Sequence, residues 1–191
     1  MHKHALEQPR AAGASMAATA RPRRCEDNRD RLSDGARAAY DEIVARRGAL
    51  APPYRLLIES PDVALTVEGL SSQLWHGRLP KDILEAAFLV VAQRLRCHEQ
   101  RERHEPKALA AGVPWEAIEA IAKGIAPPGR PELRTACLIA KRLVSGHHVG
   151  EGLWHEGVTQ LGRPALAELC AFIGLATIVA TSINLQDASP P

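Results

Sequence analysis

Apolar residues recur at helical spacing along most of the chain from Ser33 onward, and no stretch of alternating polarity lasts long enough to form a strand. The segments are punctuated in the way helices are. Ser33 or Asp34 caps a helix that runs through Arg47, and Gly48 closes it. After a proline-rich connector, Ala51-Pro52-Pro53-Tyr54, the pair Ser60-Pro61 gives an N-cap and a proline at the first helical position, opening a helix through Trp75 that stops at Gly77. Pro80 opens the next helix. Later signals place helices over Pro114 to Lys123, Pro131 to Ser145, Gly150 to Leu161, and from Pro164 to about Leu185, each ended by glycine except the last. The pattern predicts an all-α fold of roughly eight helices.

The helix that follows Pro80 carries Ile83, Leu84, Ala87, Phe88, Val90, Val91 and Leu95 around most of its circumference, which places it at the centre of a bundle. Glu85 sits within that apolar surround, where a carboxylate needs a partner such as His104 or an arginine. Beyond Cys97 the polarity changes abruptly, in His98-Glu99-Gln100-Arg101-Glu102-Arg103-His104-Glu105, marking either a site or a solvated face. Spacings of three, four and seven residues allow Cys97, Gln100, Arg101 and His104 to share one helical face.

Composition sharpens this picture. Apolar residues make 46% of the 191 positions but aromatics only 4%, so the core is built from Ala, Leu, Ile and Val, which suits close helix packing. The length fits one domain, over residues 31–187, with a disordered extension over 1–30 and a loose end at 188–191. The Arg-rich extension has no secretory apolar run; it resembles either an organellar leader or a stretch upstream of a start at Met16. A net charge of +2 gives no basis for a nucleic-acid or membrane surface. Cys25, Cys97, Cys137 and Cys170 are scattered without a CxxC pair, which points to a reducing, cytoplasmic setting. The longest apolar stretch, Leu169 to Ile183, is short for a bilayer and interrupted by Thr177, Thr181 and Ser182, so it reads as a buried or interfacial helix.

The stretch from Leu79 to Ile121 resembles the core motif of the carboxymuconolactone decarboxylase-like family, within the alkylhydroperoxidase-like superfamily. The residues that carry the likeness are Leu79-Pro80, the run Leu84 to Ala92, Cys97, His104, Ala108 to Val113 and Ile118 to Ile121; the final helix, Ala167 to Asn184, is similar to the family's closing helix. In the peroxidase branch a glutamate precedes a CxxC pair by twelve residues and a histidine follows the second cysteine by four, and Glu85, Cys97 and His104 fall on that spacing. Gln100 stands where the second cysteine would be, so the self-resolving dithiol is missing. The decarboxylase branch often has Glu-Trp where this chain has Gln100-Arg101.

The resemblance implies an alkylhydroperoxidase-like bundle that assembles as a trimer or hexamer. It also implies a cofactor-free lyase acting by proton transfer on a small carboxylated lactone or aromatic ring-cleavage metabolite. On that reading Glu85, Cys97 and His104 are the catalytic candidates, and Gln100, Arg101 and Arg103 bind substrate, the arginines matching a carboxylate. Each has a plainer alternative: a hydrogen-bonding histidine, a structural ion pair, a small buried thiol and solvated charges. Two other functional readings stay open, a single-cysteine peroxidase in which Cys97 depends on an external reductant, and a helical oligomer without catalysis. His147, Glu151 and His155, spaced i, i+4, i+8, form a rival metal-binding set if that segment is helical.

Overall fold

The computed structural model describes Cys25 and residues 27–187, and every regular element among them is helical. There are nine α-helices in this span: α1 (Asp34–Arg47), α2 (Tyr54–Leu57), α3 (Pro61–Trp75), α4 (Lys81–Arg94), α5 (His98–Ala110), α6 (Trp115–Ala122), α7 (Pro131–Val144), α8 (Glu151–Leu161) and α9 (Arg163–Gln186). Most of the expected N-terminal extension and all of the expected loose end, 188–191, lie outside the described residues. The last part of that extension is held in place. Arg29–Arg31 forms a short 3-10 turn, Arg29 pairs with Asp41 of α1, and the Tyr40 hydroxyl donates to Asp27 over 3.0 Å.

The helix ends follow local chemistry closely. The Ser33 hydroxyl accepts from the Ala36 backbone N–H, and Gly48 ends α1 at φ 81°, a left-handed conformation that favours glycine. Ser60, expected to cap α3, makes no side-chain cap bond there; Pro61, which has no N–H to satisfy, opens the helix without it. The connector at Ala51 to Tyr54 contains more order than the sequence suggests, because Pro52 and Pro53 lead directly into the single turn of α2. That turn is the ninth helix.

The central position of the fourth helix is observed. All ten residues from Ile83 to Ala92 are buried, and α4 packs against α5, α6, α7 and α9. A helix surrounded on all sides has no polar face to spare. Ala86 and Ala87 let neighbours approach closely, while Leu84, Phe88 and Val91 fill the spaces between them. The α4–α5 connection is a tight reversal through Arg96, whose φ of 53° is unusual for a residue with a Cβ, and the Cys97 N–H closes it by donating to Ala92 O at 2.8 Å. This reversal lays α5 antiparallel along α4.

The last helix is longer than the apolar stretch read from the sequence. With 24 residues it has the length and composition to cross a bilayer, but half of its most apolar window is buried in the bundle against α3, α4, α7 and α8. Near its end the Asn184 amide donates to the Leu95 carbonyl at 2.8 Å, occupying one of the acceptors left open where α4 stops. Asn184→Ala is expected to lower stability by about 1 kcal/mol, read as a drop of about 2–4 °C in melting temperature. An unchanged melting temperature would show that this bond contributes nothing.

Candidate functional site

Glu85 and His104 meet across the α4–α5 packing, with His104 Nδ1 2.7 Å from Glu85 Oε2 and both side chains largely buried, at 8% and 13% exposure. Because α4 is enclosed, its carboxylate depends on a partner from a neighbouring helix, and α5 supplies it. The His104 ring forms a triangle with two aromatic neighbours, with Phe88 at 4.1 Å and Trp75 stacked at 6.3 Å and 17°. Phe172 of α9 meets Trp75 edge-on at 5.1 Å and completes the cluster. Burial pushes the His104 pKa below its ordinary value, with the Glu85 hydrogen bond pulling the other way and Lys107 and Arg103 adding to the depression. A neutral imidazole that donates from Nδ1 to Glu85 keeps its lone pair on Nε2, so Glu85 sets the tautomer as well as the ring orientation.

The pair opens onto a cavity of about 410 Å³. From α5 it is lined by Gln100, Arg103, His104 and Lys107, spaced i, i+3, i+4, i+7 on one helical face. Lys81 and Glu85 come from α4, Trp75 and Ser71 from α3, Arg47 from α1, and Tyr54 from the turn after the prolines. Four cationic side chains, Arg47, Lys81, Arg103 and Lys107, face this space, with Glu85 as the one acidic residue in the lining. Such a wall favours an anionic occupant.

Arg47 is held in position. Its Nε donates to Glu68, its Nη2 donates to the Ser71 hydroxyl at 2.7 Å, and the Tyr54 hydroxyl donates to the same Glu68 oxygen at 2.7 Å. Glu68 is buried, and burial together with this hydrogen bond raises the Tyr54 pKa well above its ordinary range. The phenol therefore stays protonated as a donor. Helical spacing puts Lys107 beside His104 on α5 and Lys81 beside Glu85 on α4, but it could not have found Arg47 or Tyr54. These two come from separate segments, and only the folded bundle makes them neighbours of the pair.

The six residues singled out from the sequence fall into two groups. Glu85, His104, Gln100 and Arg103 line the cavity, and Cys97 and Arg101 do not. Cys97 occupies the position before α5, with non-helical φ −85° and ψ 87°, and is 1% exposed. It borders a separate depression with Arg96, His98 and Arg101. Arg101 pairs with Glu105 at 3.4 Å, one turn along the same side. The expected shared face of Cys97, Gln100, Arg101 and His104 is thus divided, because α5 begins only at His98 and the His104–Glu85 contact turns the 100/103/104/107 face inward.

The rival set does not form. His147 lies beyond α7 in a turn closed by its N–H to Arg142 O, α8 starts at Glu151, and His155 Nδ1 is occupied by the Glu151 carbonyl at 2.9 Å. Without a continuous helix the three cannot share a face, and no group of three His, Cys, Asp or Glu is placed to hold a metal among the described residues.

Two measurements follow from this geometry. A histidine whose pKa is lower in the folded than in the unfolded chain stabilises the fold fully above the unfolded value. That contribution is lost as pH falls below about 6.5 toward the lowered folded value. Stability measured by denaturant titration is expected to fall over that window, and to fall less in His104→Phe; equal slopes in the two proteins would remove the assignment. In the native state, a thiol reagent should modify the exposed Cys170 well before the buried Cys97 and Cys137, the latter pushed up to about 12 by burial. Fast labelling of native Cys97 would contradict its enclosed position.

No family model matches the chain, and no curated protein matches it. Among solved structures it is similar to the debrominase Bmp8 in its apo form, at 15% identity and a TM-score of 0.66 over 87% of this chain and 90% of that one. A cysteine-to-alanine variant of Bmp8 in complex with 2,3,4-tribromopyrrole superposes equally well, with a TM-score of 0.66, 15% identity and coverage of 91% of this chain and 92% of the other. At this identity the likeness concerns the fold, and the fold it supports is the all-helical arrangement described above.

Proposed function

We propose that this chain is an acid–base enzyme for a small anionic metabolite, a carboxymuconolactone decarboxylase-like lyase in which His104 transfers the proton and Glu85 positions it. The observation that carries the reading is the buried Glu85–His104 pair at 2.7 Å in the wall of a 410 Å³ cavity that also presents Arg47, Lys81, Arg103 and Lys107. The cations support a carboxylated substrate. The sequence resemblance supplies the reaction class, a carboxylated lactone or ring-cleavage product losing CO2.

On this reading the bond between carbon and the substrate carboxylate breaks, CO2 leaves, and the electron pair passes into the substrate's own conjugated carbonyl as an enolate. The His104 imidazolium then delivers a proton from Nε2 to that carbon and takes another from water, so one proton is consumed for each CO2 released. Glu85 stabilises the imidazolium during the step, and the apolar surround of Trp75, Phe88 and Phe172 keeps competing water out. The substrate's negative charge offsets the burial that otherwise keeps His104 neutral.

The thiol reading has less support, since Cys97 is enclosed and lies off this cavity. Assembly as a trimer or hexamer also stays part of the proposal. An apolar depression between α7, α8 and α9, bordered by Leu143, Trp154 and Leu166, suits a subunit contact.

The test is CO2 release from a panel of carboxylated γ-lactones. His104→Asn, which keeps a donor for Glu85 but carries no transferable proton, is expected to lower kcat by roughly 10²–10⁴-fold with the fold retained by circular dichroism. Because the free enzyme must be protonated, kcat/KM is expected to fall as pH rises through the lowered His104 value. A rate that instead climbs with pH would assign His104 as a base and end the decarboxylase reading.

A further inference from the structure

Gln100 is a cavity residue whose chemistry the acid–base scheme leaves unused. Its side chain is 1% exposed, and both its carboxamide nitrogen and its carboxamide oxygen lack any hydrogen-bond partner. It nevertheless lines the same cavity as His104, one turn before it on the inward face of α5. Buried amides are nearly always satisfied, because an orphan donor or acceptor loses its bond to water and gains nothing in return. Here one residue carries two such atoms beside the proton-transfer pair.

We infer that Gln100 is a substrate-reading residue whose carboxamide takes a neutral group offering a hydrogen-bond acceptor and a donor side by side, while Arg47 and its cationic neighbours take a carboxylate elsewhere on the same molecule. The inference rests on the reading of the cavity as an anion site and narrows it to a class of substrate. A lactone carbonyl accepts from Nε2 but leaves Oε1 bare. A lactam, a primary carboxamide or an un-ionised carboxyl satisfies both atoms. The unpaired amide thus ranks ligands by how many of its two atoms they satisfy: a lactone acid matches one, and a ligand with neither group leaves both polar atoms buried and unmatched.

Arg47 fits the other pole. Its Nε and Nη2 are already committed to Glu68 and Ser71, so the guanidinium is oriented before anything binds, and little side-chain freedom is lost on meeting a carboxylate. The Tyr54 ring lies 5.3 Å from its Cζ and supports the same placement. Arg47 comes from α1 and Gln100 from α5, so the two groups are set by separate walls of the cavity.

The experiment measures binding of three matched ring acids to the full-length protein by calorimetry: pyroglutamate, which is a lactam acid; γ-butyrolactone-γ-carboxylate, its lactone counterpart; and cyclopentanecarboxylate. Wild type is expected to bind the lactam acid roughly 10-fold tighter than the lactone acid, and the lactone acid tighter than the hydrocarbon acid. Gln100→Met, close in shape but without the amide, is expected to bind all three within about 3-fold of one another. Its melting temperature without ligand should equal or exceed that of wild type, since two orphan atoms are removed, which a merely structural glutamine would not permit. Gln100→Ala should erase the preference in the same way and serves where the Met variant fails to fold. Carboxylates that bind wild type without preference, or a preference that survives in a folded Gln100 variant, overturn the subsite alone. Failure of all three acids to bind at millimolar concentration overturns both the subsite and the anion-site reading beneath it.

Discussion

The hydrogen bond between Glu85 and His104 is the constraint on which the rest of the arrangement depends. A carboxylate on a helix buried on every side is tolerable only with a partner in place, because removing one member of a buried polar pair costs several kcal/mol. That requirement fixes how α5 lies along α4: the tight reversal at Arg96 returns the chain antiparallel, and the bond selects the rotation of α5 that brings His104 inward. Once His104 is inward, Gln100, Arg103 and Lys107 follow, since they occupy the same helical stripe.

The same choice decides what lies outside the cavity. Turning that stripe inward leaves Arg101 and Glu105 to pair with each other on the adjacent side, with Cys97 buried ahead of the helix and near them. Acid–base groups and the thiol are therefore separated by the rotation of one helix. Trp75 and Phe88 then contact the imidazole from two helices, backed by Phe172 from a third, and supply the burial that lowers its pKa in the free protein.

A second buried acid, Glu68, plays a comparable part on the far wall. It holds Arg47 and Tyr54 together, so the cationic pole is oriented by an internal ion pair rather than by solvent-exposed side chains free to move. Of these two buried carboxylates, each committed to a neighbour, only Glu85 lines the cavity, and the cations beside it give the space its positive character. Gln100 stands apart from both networks, a buried amide in the cavity wall with both polar atoms unpaired.

What the sequence by itself determined was local. Capping residues, prolines and glycines set the helix ends, the apolar surround of the fourth helix marked it as central, and Glu85 within that surround called for a partner, His104 or an arginine, of which His104 is the one it meets. The single turn of α2 was hidden, because four residues are too few to show a period. Helical spacing also tells which residues of α5 are neighbours but not which way their face points, so Cys97 and Arg101 were grouped with residues that the bundle turns elsewhere. Arg47 and Tyr54 join the cavity through packing between elements distant in sequence from Glu85 and His104, and no local pattern encodes that meeting. Helix ends are fixed by interactions within a few residues, whereas a pocket is the space left where several helices pack, and only the tertiary structure decided its walls.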